Sequence, residues 1–104
     1  MTSDVTVRNN PEAPTYDAII DDEVVGRINY ELKGSRAVIS HTIVEPAQRG
    51  NGIATALVKG ALDDFRERGM TITNYCGFIT AFISKNPQYA DIVDPAEPGF
   101  AFRP

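Results

Sequence analysis

The segment Thr42-Ile43-Val44-Glu45-Pro46-Ala47-Gln48-Arg49-Gly50-Asn51-Gly52-Ile53-Ala54-Thr55 carries the chain from a β-type pattern into a helical one. Upstream, Arg36 to Val44 is rich in β-branched residues, and Pro46 ends that run. Downstream, Ile53, Leu57, Val58, Leu62 and Phe65 recur at spacings of three and four, which predicts a helix from about Gly52 to Arg68. Gly69 stands just past its end, where a helix C-terminus favours glycine. Between the two patterns lie glycines, whose backbone can turn tightly and approach a ligand. The first N–H groups of a helix have no internal partners and favour an anion such as phosphate. A plain strand-to-helix turn is the alternative reading of the same residues.

Working outward, four short strands precede the loop. Val5 to Arg8, Tyr16 to Ile20, Val24 to Leu32 and Arg36 to Val44 are separated by Pro11 and Pro14, by Asp21-Asp22-Glu23 and by Lys33-Gly34-Ser35. Such closely spaced strands predict an antiparallel meander. After the helix, Thr71 to Tyr75 reads as a fifth strand. A strand, a helix and a strand in succession predict a right-handed crossover and parallel pairing. Gly77 to Asn86 reads as a second helix, Pro87 interrupts it, and Gln88 to Val93 continues as a further turn. The expected class is α+β: a mixed, mainly antiparallel sheet of about five strands with helices packed on its faces. Residues 1–94 form a single expected domain. Residues 95–104, with three prolines and a glycine, are expected to be an extended tail docked by Phe100 and Phe102.

Composition narrows the function classes. The chain has 104 residues, 42% of them hydrophobic and 23% charged, as in ordinary globular domains. A net charge of -4 argues against a nucleic-acid binder, which needs a basic face, and gives no pull toward anionic membranes. No apolar run reaches the roughly 20 residues of a membrane span. Met1-Thr2-Ser3-Asp4 lacks the basic and apolar regions of a signal peptide, so the expected compartment is the cytoplasm. The single Cys76 excludes an internal disulfide, and with the single His41 it leaves no metal constellation. The chain is expected to act as a monomer or weak dimer.

Three phosphate-loop patterns compete for Arg49 to Thr55. A nucleotide-hydrolase loop needs a Lys that is absent here. A dinucleotide fold needs a third glycine where Thr55 stands, and an acid roughly 20 residues on that the region 71–76 lacks. The third pattern fits. Arg49-x-x-Gly52-x-Ala54 resembles the Gln/Arg-x-x-Gly-x-Gly/Ala loop of the GNAT acetyltransferase superfamily. His41 to Pro46, Cys76-Gly77-Phe78-Ile79 and Asn86-Pro87-Gln88-Tyr89-Ala90-Asp91-Ile92-Val93 are similar to blocks of its small single-domain members, and together these cover roughly residues 15 to 93.

The resemblance implies a GNAT (acyl-CoA N-acyltransferase) fold with acetyl-CoA as cosubstrate and an amine acceptor, small molecule or protein. The pantetheine arm would lie along Thr42, Ile43 and Val44, where the fourth and fifth strands splay. The pyrophosphate would sit on the N–H groups of Arg49, Gly50, Asn51, Gly52, Ile53, Ala54 and Thr55. Phe78, Ile79 and Phe82 would pack on pantetheine, or else form a helix's core face. Lys59, Lys85 and Arg49 are the candidate partners of the 3′-phosphate. Larger relatives carry an Asn after the fifth strand and a Tyr acid seven residues on; here Cys76 and Ile83 stand at those spacings. Cys76 at a helix N-terminus, with His41 on the neighbouring strand, is the candidate nucleophile and base of a covalent scheme. Asp21-Asp22-Glu23 could attract a cationic amine, and Glu31 or Glu45 could act as a base, although solvated surface positions explain these acids equally well. The alternatives are a CoA-binding module without efficient transfer and an interaction protein that keeps only the fold.

Overall fold

The first four strands pair with their neighbours in sequence, because the short turns between them favour antiparallel hairpins. In the computed structural model, which describes residues 5–48, 50 and 52–99, the strands are β1 (Thr6–Asn10), β2 (Thr15–Ile20), β3 (Glu23–Lys33), β4 (Arg36–Val44) and β5 (Thr71–Asn74). They form one sheet in the order β1-β2-β3-β4-β5. The first three pairings are antiparallel, and β4 with β5 is parallel, as the crossover requires.

Between β4 and β5 runs α1 (Ile53–Glu67), the predicted helix shortened by one residue at each end. Its buried residues Ile53, Leu57, Val58, Ala61, Leu62 and Phe65 are the apolar stripe read from the sequence. That stripe lies on the sheet. Phe65 meets Tyr16 and Tyr30 edge-on, with ring centroids 5.0 and 5.3 Å apart. The Tyr16 hydroxyl donates to Asp64. Burial and that carboxylate push the Tyr16 phenol far above its ordinary range.

The second helix, α2 (Gly77–Lys85), starts directly after β5 and lies beside α1. A 3₁₀ segment, Pro87–Ile92, follows where Pro87 breaks the α pattern. It fastens to α1 through the Tyr89 hydroxyl, 2.7 Å from Asp63 Oδ1, and through the Arg66–Asp91 ion pair. Beyond it the chain returns along β5. Val93 bridges Ile72, Gly99 bridges Asn74, and Arg36 holds Glu97 at 2.9 Å. Phe100 and Phe102, the expected docking side chains, lie outside the described residues.

The register of β4 changes once. Asn29 of β3 faces His41, but Tyr30 faces Ile39, so Ser40 is an extra residue in β4. This bulge inverts the alternation of side chains. Ala37 and Ile39 point into the core before it, and Val44 does so after it, with Thr42 half-buried in the same phase. The residues Ser40, His41 and Ile43 are exposed.

Candidate active site

β4 and β5 stay paired only from Arg36↔Thr71 to Ile39↔Asn74. The last contact is the Tyr75 N–H to the Ile39 carbonyl, at 2.9 Å. Among the described residues, the β5 side of β4 has no strand partner from Ser40 to Val44, and the two strands part.

Cys76 sits at the mouth of this opening. It caps α2 in an extended conformation, with no side-chain cap on the helix and no acid in the first turn. Its residue is 7% exposed, and its sulfur lies 3.3 Å from Thr42 Oγ1. Asn74 fixes the backbone beneath it. The Asn74 Oδ1 accepts the Cys76 N–H at 3.0 Å, and Nδ2 donates to the Cys76 carbonyl and to Thr80 Oγ1, at 3.0 and 3.1 Å. With Asn74 fully buried, both ends of its amide are satisfied locally and the thiol is held in one place. Asn74 escaped the sequence reading. Its signal was a polar residue closing an otherwise β-prone run, two positions before the cysteine.

His41 does not meet the thiol. Its Nε2 lies 3.2 Å from Asn29 Nδ2 on the exposed face of the sheet. Adjacent residues of a strand point to opposite faces, so the side chain that reaches Cys76 is that of Thr42. The expected Cys76–His41 contact is replaced by a Cys76–Thr42 contact, because the Ser40 bulge sets Thr42 in the core phase.

The glycine loop opens α1 as predicted. Gly50 and Gly52 have φ of 86° and 75°, a left-handed conformation that glycine adopts without steric cost. Gly52 offers no capping side chain, and no acid lies in the first turn. Within the helix, the first N–H returned to this end is that of Ala56, to the Gly52 carbonyl. The N–H groups of Ile53, Ala54 and Thr55 are therefore directed out of the helix end, where a phosphate is favoured. Arg49 and Asn51, also assigned to this loop, lie outside the described residues.

Three clefts share Phe78 in their lining, a residue that is 43% exposed. One of about 280 Å³ is lined by Thr42, Ile43, Val44, Ala54 and Phe78. A second of about 270 Å³ runs over Val44, Gln48, Gly50, Gly52, Ala54, Thr55 and Phe78. A third of about 310 Å³ lies between α1 and α2 and includes Lys59, Phe82 and Lys85. They form one groove from the Thr42 end, past the glycine loop, to the two lysines. Of the residues assigned to pantetheine, Phe78 and Phe82 line this groove. Ile79 does not: it is fully buried in the core, and the Ile53 side chain is buried there too. Ile53 has only its backbone to offer.

Residues 15–92 match the family model described as GCN5-related N-acetyltransferase. The chain belongs to that family. Over 69 residues it is 41% identical to the protein NATD1 of Bos taurus, an alignment that takes in 64% of this chain and 61% of the bovine one. The chain thus spans about three fifths of the length of that curated relative. Among solved structures, a GCN5-like protein from Staphylococcus aureus superposes with a TM-score of 0.61 at 20% identity, covering 98% of this chain and 96% of its own. The PaiA N-acetyltransferase of Thermoplasma acidophilum, solved in complex with coenzyme A, gives 0.55 at 17% identity, over 69% of this chain and 48% of that one. These likenesses establish the fold. Among the described residues, no helix is long and apolar enough to cross a membrane, and no group of three or more His, Cys, Asp or Glu could hold a metal ion.

Proposed function

We propose that this protein is an acetyl-CoA-dependent N-acetyltransferase that passes the acetyl group through Cys76 to an amine. The observation that carries the reading is the groove that runs from the N-terminus of α1 to Thr42, whose hydroxyl lies 3.3 Å from the Cys76 sulfur. Its polar end suits a pyrophosphate, and its narrow middle, walled by Val44, Ala54 and Phe78, suits a pantetheine arm. The unpaired edge of β4 from Ser40 to Val44 offers backbone groups to the amides of that arm.

In the first half-reaction the Cys76 sulfur attacks the thioester carbonyl carbon. The carbon–sulfur bond to CoA breaks, and the thiol proton leaves on the CoA sulfur. The Thr42 hydroxyl donates to the thiolate as it forms, and the α2 N-terminus favours its negative charge. In the second half-reaction the amine nitrogen attacks acetyl-Cys76, the amide forms and the thiol is regenerated. The proton that the amine loses ends on the departing Cys76 sulfur, and His41, on the opposite face of the sheet, takes no part in its transfer.

Two assays test this. Acetyl-CoA at a hundred times its dissociation constant should add about 2.7 kcal/mol of stability and raise the melting temperature by several degrees. A panel of amines should then give acetylated product. A melting shift with no turnover on any amine would favour a binding module, and no shift at all would favour an interaction protein that has kept the fold.

A further inference from the structure

β5 is a short strand, and its last residue is poorly suited to it. Asparagine is depleted in strands, and burying its amide is unfavourable unless donors and acceptor are paired. Asn74 is nevertheless 0% exposed. A valine or isoleucine would suit the position better if it only closed the strand. The partner that explains the amide lies two residues on. Cys76 is held at both of its backbone polar groups. Its N–H donates to Asn74 Oδ1, and its carbonyl accepts from Asn74 Nδ2 and, at 3.1 Å, from the Thr80 N–H. The Thr80 hydroxyl accepts the second Nδ2 bond and reaches the same carbonyl at 3.3 Å. Cys76 is thereby kept in one backbone conformation, φ -95° and ψ 119°, with one direction for its Cα–Cβ bond. That direction brings the sulfur to Thr42. The segment that returns along β5 holds Asn74 in turn: the Asn74 N–H donates to the Pro98 carbonyl at 3.0 Å, and the Thr73 hydroxyl to the Glu97 carbonyl at 2.6 Å.

Resting on the transfer through Cys76 proposed above, we infer that Asn74 is a positioning residue of that transfer: its neutral amide aims the Cys76 sulfur and, by adding no charge beneath it, leaves thiolate formation unopposed. Asn74 acts through Cys76 and meets neither the thioester nor the amine. The sulfur has to face the thioester in the first half-reaction and the amine in the second without moving, and a displacement of about 1 Å can cost a hundredfold in rate. Among the described residues, no charged side chain bonds to Asn74 or to Cys76. A charge introduced at Asn74 therefore acts on the thiol without a neighbouring ion to offset it.

The test follows three quantities on the full chain: acetylation of Cys76 by intact mass, alkylation of the thiol by iodoacetamide across pH, and the melting shift given by acetyl-CoA. Asn74→Ala should keep the melting shift and slow acetylation roughly tenfold to a hundredfold. Asn74→Asp keeps the size of the side chain and the acceptor for the Cys76 N–H but places a carboxylate near the thiol. It should move the midpoint of the alkylation profile up by about one pH unit. Ile72→Val, two residues back in β5 and fully buried, is the control for lost stability alone. It should lower the melting temperature and leave the acetylation rate and the midpoint as in wild type. An unchanged acetylation rate in Asn74→Ala, an unchanged midpoint in Asn74→Asp, or equal changes in Ile72→Val would overturn the inference and leave Asn74 as a strand terminus only. Wild type that takes no acetyl group, while its alkylation midpoint still moves with Asn74→Asp, would overturn the transfer reading and not the hold of Asn74 on the thiol.

Discussion

From Arg36 to Ile39, β4 is an interior strand, paired with β3 on one side and β5 on the other. From Ser40 to Val44 it keeps β3 alone and turns its other edge to the groove. In the first stretch, fully buried Ala37 and Ile39 serve stability. In the second, His41 and Ile43 are exposed, and Thr42 faces the thiol. One strand thus changes from scaffold to site within nine residues, and the change occurs at one extra residue. Without the Ser40 bulge, strict alternation would turn Thr42 and Val44 to the exposed face and leave Cys76 without its hydroxyl partner. The site is built where the sheet stops pairing but goes on positioning.

The contrast can be broken most severely at Ile39 and Ile43. Ile39→Ala removes a fully buried side chain from the paired stretch and should cost about 3 kcal/mol in urea unfolding. Ile43→Ala, in the parted stretch and 52% exposed, should cost less than about 1 kcal/mol. Similar losses for the two would mean that β4 is uniform after all.

A smaller effect is expected where the tail closes on β5. A Cβ on Gly99 would lie 2.3 Å from the Asn74 carbonyl oxygen, and φ there is +89°. Gly99→Ala should destabilise the fold by roughly 1–3 kcal/mol. Because Asn74 also clamps Cys76, the same variant should change the rate at which iodoacetamide alkylates the thiol. An unchanged rate would separate the paired stretch from the site.

The smallest effect concerns pH. The backbone N–H groups of Glu97 and Ala96 hold the Asp94 carboxyl below its ordinary range. A carboxyl depressed on folding contributes stability above its unfolded pKa, and that contribution is lost as pH falls through the depressed value. Asp94 is only partly buried, so the tail should loosen beside β5 only below the ordinary carboxylate range, with little change in global stability. A carboxyl-carbon NMR titration checks that Asp94 takes up its proton below the ordinary carboxylate range; protonation within that range would contradict the account.

Much of this was legible in the sequence, for physical reasons that also mark where legibility ended. The apolar period of α1, the prolines at 46 and 87 and the turn glycines each act locally, so they placed the helices and strands within a residue or two. The loop was legible because Gly50 and Gly52 adopt a conformation that other residues avoid. The bulge was not. Ser40 is an ordinary strand residue, and its extra place appears only when β3 sets the register. That one residue also explains why the sequence paired Cys76 with His41 while the fold pairs it with Thr42. Ile79 was assigned to the ligand beside Phe78, but the helical period turns it into the core, whereas the buried side chain of Ile53 leaves free the backbone N–H that the resemblance assigned. Asn74 went unseen because its partners, Cys76 and Thr80, are defined by a turn and a helix start rather than by any spacing of chemical types.

The most direct test of the central claim is the intact mass of the protein after incubation with acetyl-CoA without an acceptor, quenched in acid, with Cys76→Ala in parallel. The parted stretch of β4 is held to deliver the thioester to the thiol. Wild type should therefore gain a single acetyl group, lose it when a competent amine is added, and show no such gain in the variant. Wild type that stays unmodified while amines are nevertheless acetylated, or an adduct that persists in Cys76→Ala, would contradict it.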